Sequence, residues 1–248
     1  LTGSTTKDTS PYTLRVVDRD ATGFSFVVDG WEYQAGLTSR METISWVAVA
    51  AGVHELADGR IIEAGTVLAD RDSGSVAFTA NFGAQSPVVV TSVMSSLDGA
   101  AVDSDPINVT STGFDARLQM EEARSGGARS QELVGYIAFG VGGSVKAVDN
   151  VGMWGTRVGF GQTFSAPVVV SDTQTWNDEE TQSLMFWGAP SSSSVHVFPQ
   201  EDFSADGERV RLAGERVGIA AFEAGALTGT RTADAAFVTQ AELDAAAA

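Results

Sequence analysis

The chain contains no cysteine, which removes disulfides, thiolate metal sites and cysteine nucleophiles together. Secreted eukaryotic β domains often carry disulfides, so this absence favours a bacterial or phage origin. Proline is scarce, 6 in 248 residues, and the histidines are only His54 and His196. No nucleophile elbow, HExxH pair, P-loop or dinucleotide fingerprint occurs, so the expectation is a protein that is not an enzyme. No apolar run approaches the roughly 20 residues a membrane helix needs. Basic residues number 15 against 32 acidic ones, a net charge of −17. Such a surface repels phosphate backbones and anionic headgroups, which argues against nucleic-acid partners and membrane insertion. The opening residues, LTGSTTKDTS, lack a start methionine and a basic-then-apolar signal peptide. They read as processed, or excised from something longer.

What is present is valine, glycine and threonine in short alternating runs, with 27 glycines marking turns. That composition predicts an all-β fold. Two stretches share a Phe-rich lead-in, a proline and three valines: VAFTANFGAQSPVVVTS (76–92) and VGFGQTFSAPVVVS (158–171). A triple valine suits a strand covered on both faces. Phe78 and Phe160 lie 82 residues apart. A second motif occurs three times, as ETISWVAV (42–49), ELVGYIAF (132–139) and ERVGIAAF (215–222). Its glutamates, Glu42, Glu132 and Glu215, are spaced by 90 and 83 residues. A third marker, Thr-Gly-Phe, opens ATGFSFVV and STGFDARL, with Gly23 and Gly113 each 19 residues ahead of their glutamate.

Two independent markers with nearly one period imply internal repeats. The expected organisation is residues 1–53 as the second half of a first unit, 54–74 as linker, 75–140 as a second unit, 141–156 as linker, 157–225 as a third, and 226–248 as tail. Within the tail, Thr239 and Glu242 have capping-box spacing, so 239–248 is either a short helix or a frayed end. Recurrence of the glutamate in three divergent units predicts a structural role, such as an arginine pair or a turn hydrogen bond.

The ordered markers resemble the H-type lectin family, which includes the snail agglutinins. The matching residues are Phe78, Phe82, Pro87 to Val90, Thr112-Gly113-Phe114 and Val134 to Ala138, with Thr22-Gly23-Phe24 and Ile44-Ser45-Trp46 in the first unit. The resemblance implies tandem antiparallel six-stranded β-sandwich units. It also implies threefold assembly, which three units in one chain could imitate, and sugar binding at unit boundaries. In these lectins an aromatic-polar cluster follows the Gly-Phe strand by about eight residues, a place held here by Trp31 with Glu32 and Tyr33.

Aromatic faces stack on sugar rings while carboxylates and amides bond their hydroxyls. The candidate carbohydrate-binding residues are therefore Trp31, Glu32, Tyr33 and Arg40, with Trp176 in the loop QTWNDEE as a second platform. Each tryptophan has a plainer reading as a packing residue. Carboxylate clusters on loops offer calcium the oxygen ligands it prefers: Asp70 and Asp72 in one, Asp98, Asp103 and Asp105 in a second, Asp178, Glu179 and Glu180 in a third. Solvated acidic loops are the plainer reading of these too. The functional expectation is a carbohydrate-binding or adhesive module of a secreted or surface-displayed protein, with glycans or cell-surface polysaccharide as partners. The alternative is a structural component that self-associates or joins other parts of a longer chain.

Overall fold

In the computed structural model the valine runs become strands covered on both faces. The structure describes residues 3–6, 11–34, 41–72, 74–97, 99–124, 130–178, 180–205 and 213–247. Strands make up 51% of the described residues and helix 5%, so the fold is all-β.

The first segment carries β1 (Gly3–Ser4), β2 (Tyr12–Arg19), β3 (Phe24–Gly30), β4 (Ile44–Ser45) and β5 (Gly52–Leu56). Then come β6 (Ile61–Ala69), β7 (Gly74–Ala77), β8 (Val88–Val93), β9 (Val102–Ile107), β10 (Gly113–Met120) and β11 (Glu132–Phe139). Six more follow: β12 (Val145–Val151), β13 (Thr156–Gly159), β14 (Pro167–Thr173), β15 (Gln182–Phe186), β16 (Ser194–Glu201) and β17 (Glu215–Glu223). The chain closes with β18 (Gly229–Ala233) and α1 (Gln240–Ala246).

Among β6–β11, the last strand lies between the first and third, giving β6-β11-β8, while β10 lies between β7 and β9. Among β12–β17 the order repeats: β12-β17-β14 and β13-β16-β15. Each pair of sheets encloses its own core. Val89, Val93 and Tyr136 meet Val76, Phe114 and Leu118 in one; Val169, Val217 and Ile219 meet Val158, Val195 and Val197 in the other. The opposite faces of the same strands build a third core, where Val88, Val90 and Phe139 meet Val170, Ala220 and Phe222, with Val47 and Val49 packed against them. Alternate valines thus point into different cores, because successive side chains of a strand face opposite ways.

The segments 54–74 and 141–156, expected to be linkers, carry strands; in the first, ADGRIIEAG also reads as a hairpin on its Asp-Gly turn, and β5 and β6 pair antiparallel across Asp58-Gly59. Gly, Ala and Asp disguised β6 and β12, which gain their order by pairing along β11 and β17. The tail is ordered too. β18 pairs antiparallel with β5 and extends the larger sheet to seven strands, ending at the β2–β3 hairpin. Thr239 and Glu242 form the expected capping box at the start of α1.

The recurring glutamates have one structural role. Glu132 accepts hydrogen bonds from the Ser95 hydroxyl and from Leu97 N (3.1 Å). Glu215 accepts from the Thr175 hydroxyl, Asn177 N (2.8 Å) and Asp178 N (3.0 Å). Glu42 accepts from Thr5 Oγ1 (2.6 Å). Each time, the backbone N–H after the glutamate donates to the same hydroxyl: Thr43 to Thr5, Leu133 to Ser95 and Arg216 to Thr175. A turn hydrogen bond, one of the roles expected from sequence, is what these residues make.

Candidate functional site

Where β6–β11 meets β12–β17, a cleft of about 440 Å³ opens, bordered by Pro87, Asn108, Thr110, Trp176, Asn177 and Arg216, among others. Its walls are held by the backbone geometry already described. Glu215 fixes the N–H groups of Asn177 and Asp178, and so sets the path of the loop that carries Trp176. Gln174 reaches across to β8, accepting from Val89 N (2.9 Å) and donating to Val89 O (2.7 Å). On the other wall Asn108 takes a positive φ of 54°, one of the few residue types that tolerates it, and its amide donates to Asp115 Oδ2 at 2.8 Å.

The Arg117 guanidinium lies 3.0 Å from the centre of the Trp176 ring, a cation–π contact that covers part of it. The half-buried ring also borders the cleft. Arg216 is paired with Asp149 at 2.6 Å on the rim. An indole, a guanidinium, amides and hydroxyls in one concavity suit a neutral polyol more than an anion, because the cation is already paired. Sequence reasoning found Trp176 and missed Arg117 and Asn108. Arg117 had one signal: it is a lone cation in a strand whose counterparts in the other repeats are Val27 and Phe198.

Trp31 is differently placed. It is 1% exposed, and among the described residues its indole N–H has no hydrogen-bond partner. Its ring faces are thus unavailable for stacking on a sugar. The reason is that three equivalent loops converge there: Tyr33 N donates to Glu121 (3.2 Å), Glu122 N to Asp202 (2.7 Å) and Phe203 N to the Tyr33 hydroxyl (3.2 Å), a closed cycle. Glu32 accepts from Ala101 N (2.9 Å) and lies 3.6 Å from Arg124. Burial, with Glu32 nearby, pushes the Glu121 carboxyl up, and burial does the same to the Tyr33 phenol. Arg40 lies outside the described residues.

The acidic candidates separate in the same way. Asp98 and Glu179 lie outside the described residues. Asp103 and Asp105 share one side of β9 and join Asp172 of β14 in a polar network between strand sets. Thr13 donates to Asp103 (3.1 Å), Gln119 and Thr173 to Asp105, and Thr91 N and Oγ1 to Asp172 (2.8 and 2.9 Å). Burial pushes all three carboxyls up, with their mutual repulsion adding to it for Asp105 and Asp172. Asp178 stands apart, accepting from Ala213 N at 2.7 Å. Glu122, Glu180 and Glu201, a set that spacing did not reveal, bring ligand oxygens within 4.8 Å of one another. Among the described residues, these three are the acids that could share a cation.

Among the described residues no helix is long and apolar enough to cross a membrane. No protein-family model, curated protein or solved structure matches the chain.

Proposed function

We propose that this chain is a carbohydrate-binding or adhesive module of a secreted or surface-displayed bacterial or phage protein, built from repeated H-type lectin-like six-stranded sandwich units. Residues 61–139 and 145–223 are two such units, and residues 3–49 contribute the second half of another. The reading draws support from the repeated strand order, the thrice-repeated glutamate hydrogen bonds and the core shared by Val49, Phe139 and Phe222. The closed cycle of loop contacts around Trp31 fits a threefold arrangement within one chain.

The single observation that carries the binding reading is the Trp176 cleft at the boundary between two units. Its ligand is a neutral or weakly polar sugar, held by the indole edge and by the amide and hydroxyl groups of Asn177 and Thr110. Glycan-array binding tests it. Loss of the indole contact should weaken any glycan bound by about tenfold, the scale of an aromatic contact together with its buried area. Trp176→Ala also releases Arg117, so Asn177→Ala, at an exposed position, serves as the second variant. Binding to no glycan, or binding that neither substitution weakens, refutes the assignment.

A second reading is structural: a self-assembling component of a fibre, shell or matrix that binds no sugar. Burial of Trp31 favours it, because the platform nearest to the lectin pattern is used for packing. Ordered polymers in solution, together with silence on glycans, would decide for it.

A further inference from the structure

One sheet face of the strand set β12–β17 carries exposed rings. On β16, His196 lies opposite Arg157 of β13, and its carbonyl accepts from Trp187 N, directly after β15, at 2.9 Å. Residues opposite one another on neighbouring strands share a face, so Arg157, His196 and Trp187 form one row. Val158, Val195, Val197 and Phe186 alternate with them and enter the core on the other side. The row therefore faces outward. Trp187 is 62% exposed, and Trp154, in the turn before β13, is 76% exposed. Aromatics exposed in one patch mark an interaction surface.

Neighbouring groups hold the row in place. The Trp187 ring packs against those of His196 (5.9 Å between centres) and Phe198 (5.7 Å), which fixes its plane while most of it stays open. His196 Nε2 lies 3.2 Å from Trp154 O. A carbonyl only accepts, so Nε2 carries the proton and the neutral ring keeps Nδ1 as an acceptor. Gly155, at a φ of 68°, allows this approach: a Cβ there would stand 2.8 Å from His196 Nε2 and 2.4 Å from Val197 O. Arg157 is exposed and, among the described residues, has no ion pair, whereas Arg15 and Arg216 each have one. The equivalent row in β6–β11 is Ser75, Asp115 and Ile107. That row satisfies itself, with Ser75 Oγ donating to Asp115 Oδ1 at 2.6 Å. The later row instead leaves a cation and an indole open.

We propose that the row Arg157–His196–Trp187 binds a carboxylated pyranose, a sugar residue that bears one acid group. The negative face of the indole meets the C–H face of the sugar ring. The guanidinium pairs with the carboxylate in the forked geometry that suits both, and His196 Nδ1 accepts from a hydroxyl. Arg157 and Trp187 stand two strand spacings apart, about 10 Å, a span for a disaccharide with its acid at one end. Net charge decides against a longer acidic polymer. At −17 the chain as a whole repels a polyanion, while a single carboxylate meets an unpaired guanidinium at contact distance. This surface is separate from the Trp176 cleft, and sugar binding in that cleft can fail without it.

Ligand-observed NMR titration of the full chain at low salt tests the proposal, with glucuronic acid, N-acetylneuraminic acid and glucose as probes. At least one acid should bind about tenfold more tightly than glucose, and which one it is identifies the sugar. The preference should shrink as salt rises. Arg157→Gln should abolish it, and Trp187→Ala should weaken the bound acid about tenfold; both positions are exposed, so the fold is kept. Asn177→Ala, in the Trp176 cleft, should leave acid binding unchanged. Binding of neither acid, no preference over glucose, or a preference that survives Arg157→Gln overturns the proposal. So does acid binding that Asn177→Ala removes and Trp187→Ala spares, since it assigns the acid to the Trp176 cleft. Neutral-glycan binding by the same variants reports on that cleft, so the failure of either site is told from the failure of the other.

Discussion

Replacing each recurring glutamate by alanine should produce a graded loss of stability set by burial. Glu215 is fully buried and accepts from one hydroxyl and two backbone N–H groups. A hydrogen bond to a charged group contributes about 1.5–3 kcal/mol, and an orphaned buried donor costs about 1–3 kcal/mol. The Asn177 and Asp178 donors are only partly buried, so water relieves some of that cost. Glu215→Ala should therefore lose about 4 kcal/mol, near the top of what one substitution does. Glu132→Ala, equally buried, removes the acceptor for Ser95 and Leu97 and should lose about 3 kcal/mol. Glu42 is partly exposed, and solvent can replace it at Thr5, so Glu42→Ala should lose about 1 kcal/mol. Urea unfolding with a common slope measures all three. The reasoning fails if Glu42→Ala costs as much as Glu215→Ala, or if all three cost under 1 kcal/mol (a surface-charge effect).

Two further outcomes follow from the same geometry. The carboxyls of Asp103, Asp105 and Asp172 are raised by burial, so their neutral forms are favoured in the folded state. Their stabilising contribution is complete below the ordinary carboxylate range and is lost as pH rises through the raised values. Thermal unfolding should thus show a higher midpoint at about pH 5 than at about pH 8, and Asp105→Asn with Asp172→Asn should flatten that slope; an unchanged slope refutes it. The α1 cap works only locally, because no residue of that helix is buried. Thr239→Ala should cost about 1 kcal/mol of helix stability, visible as faster exchange at its amides, with the global unfolding midpoint unmoved.

How much of this was legible in the sequence depended on whether a residue's partners repeat with it. The valine runs and the glutamates recur because each copy faces the same neighbours, so their spacing announced both the strands and the hydrogen-bonding role. β12 and the length of β6 were hidden, though the Asp-Gly turn before β6 suggested a hairpin, because the two share little with each other: IIEAGTVLA has Glu63 facing Tyr136, at 2.9 Å from its hydroxyl, while VKAVDNV carries exposed Asp149 and Asn150. Neither has the alternation that identifies a strand alone. The cluster of Glu122, Glu180 and Glu201 was hidden for another reason. Its members come from three loops or strand ends, and only the packing of one strand set on the next brings them together.

Trp31 shows where pattern and packing part company. Followed by Glu32 and Tyr33, it reads as an exposed aromatic in a polar loop, yet it is buried, and its neighbours bond to two later loops. The polar neighbours are used in that closure: Glu32 takes the Ala101 N–H, and the Tyr33 hydroxyl takes that of Phe203. The equivalent positions hold Glu121 and Asp202, whose carboxylates accept N–H groups from adjoining loops. A ring of loops that must satisfy one another's backbone leaves no room for a ligand at its centre. Trp176 lies in a loop held by Glu215 and by bonds to Gly214 and Ala213, and its ring, partly covered by Arg117, borders an open cleft. For the proposed sugar binding, the cleft beside Trp176 is accessible and the buried Trp31 is not.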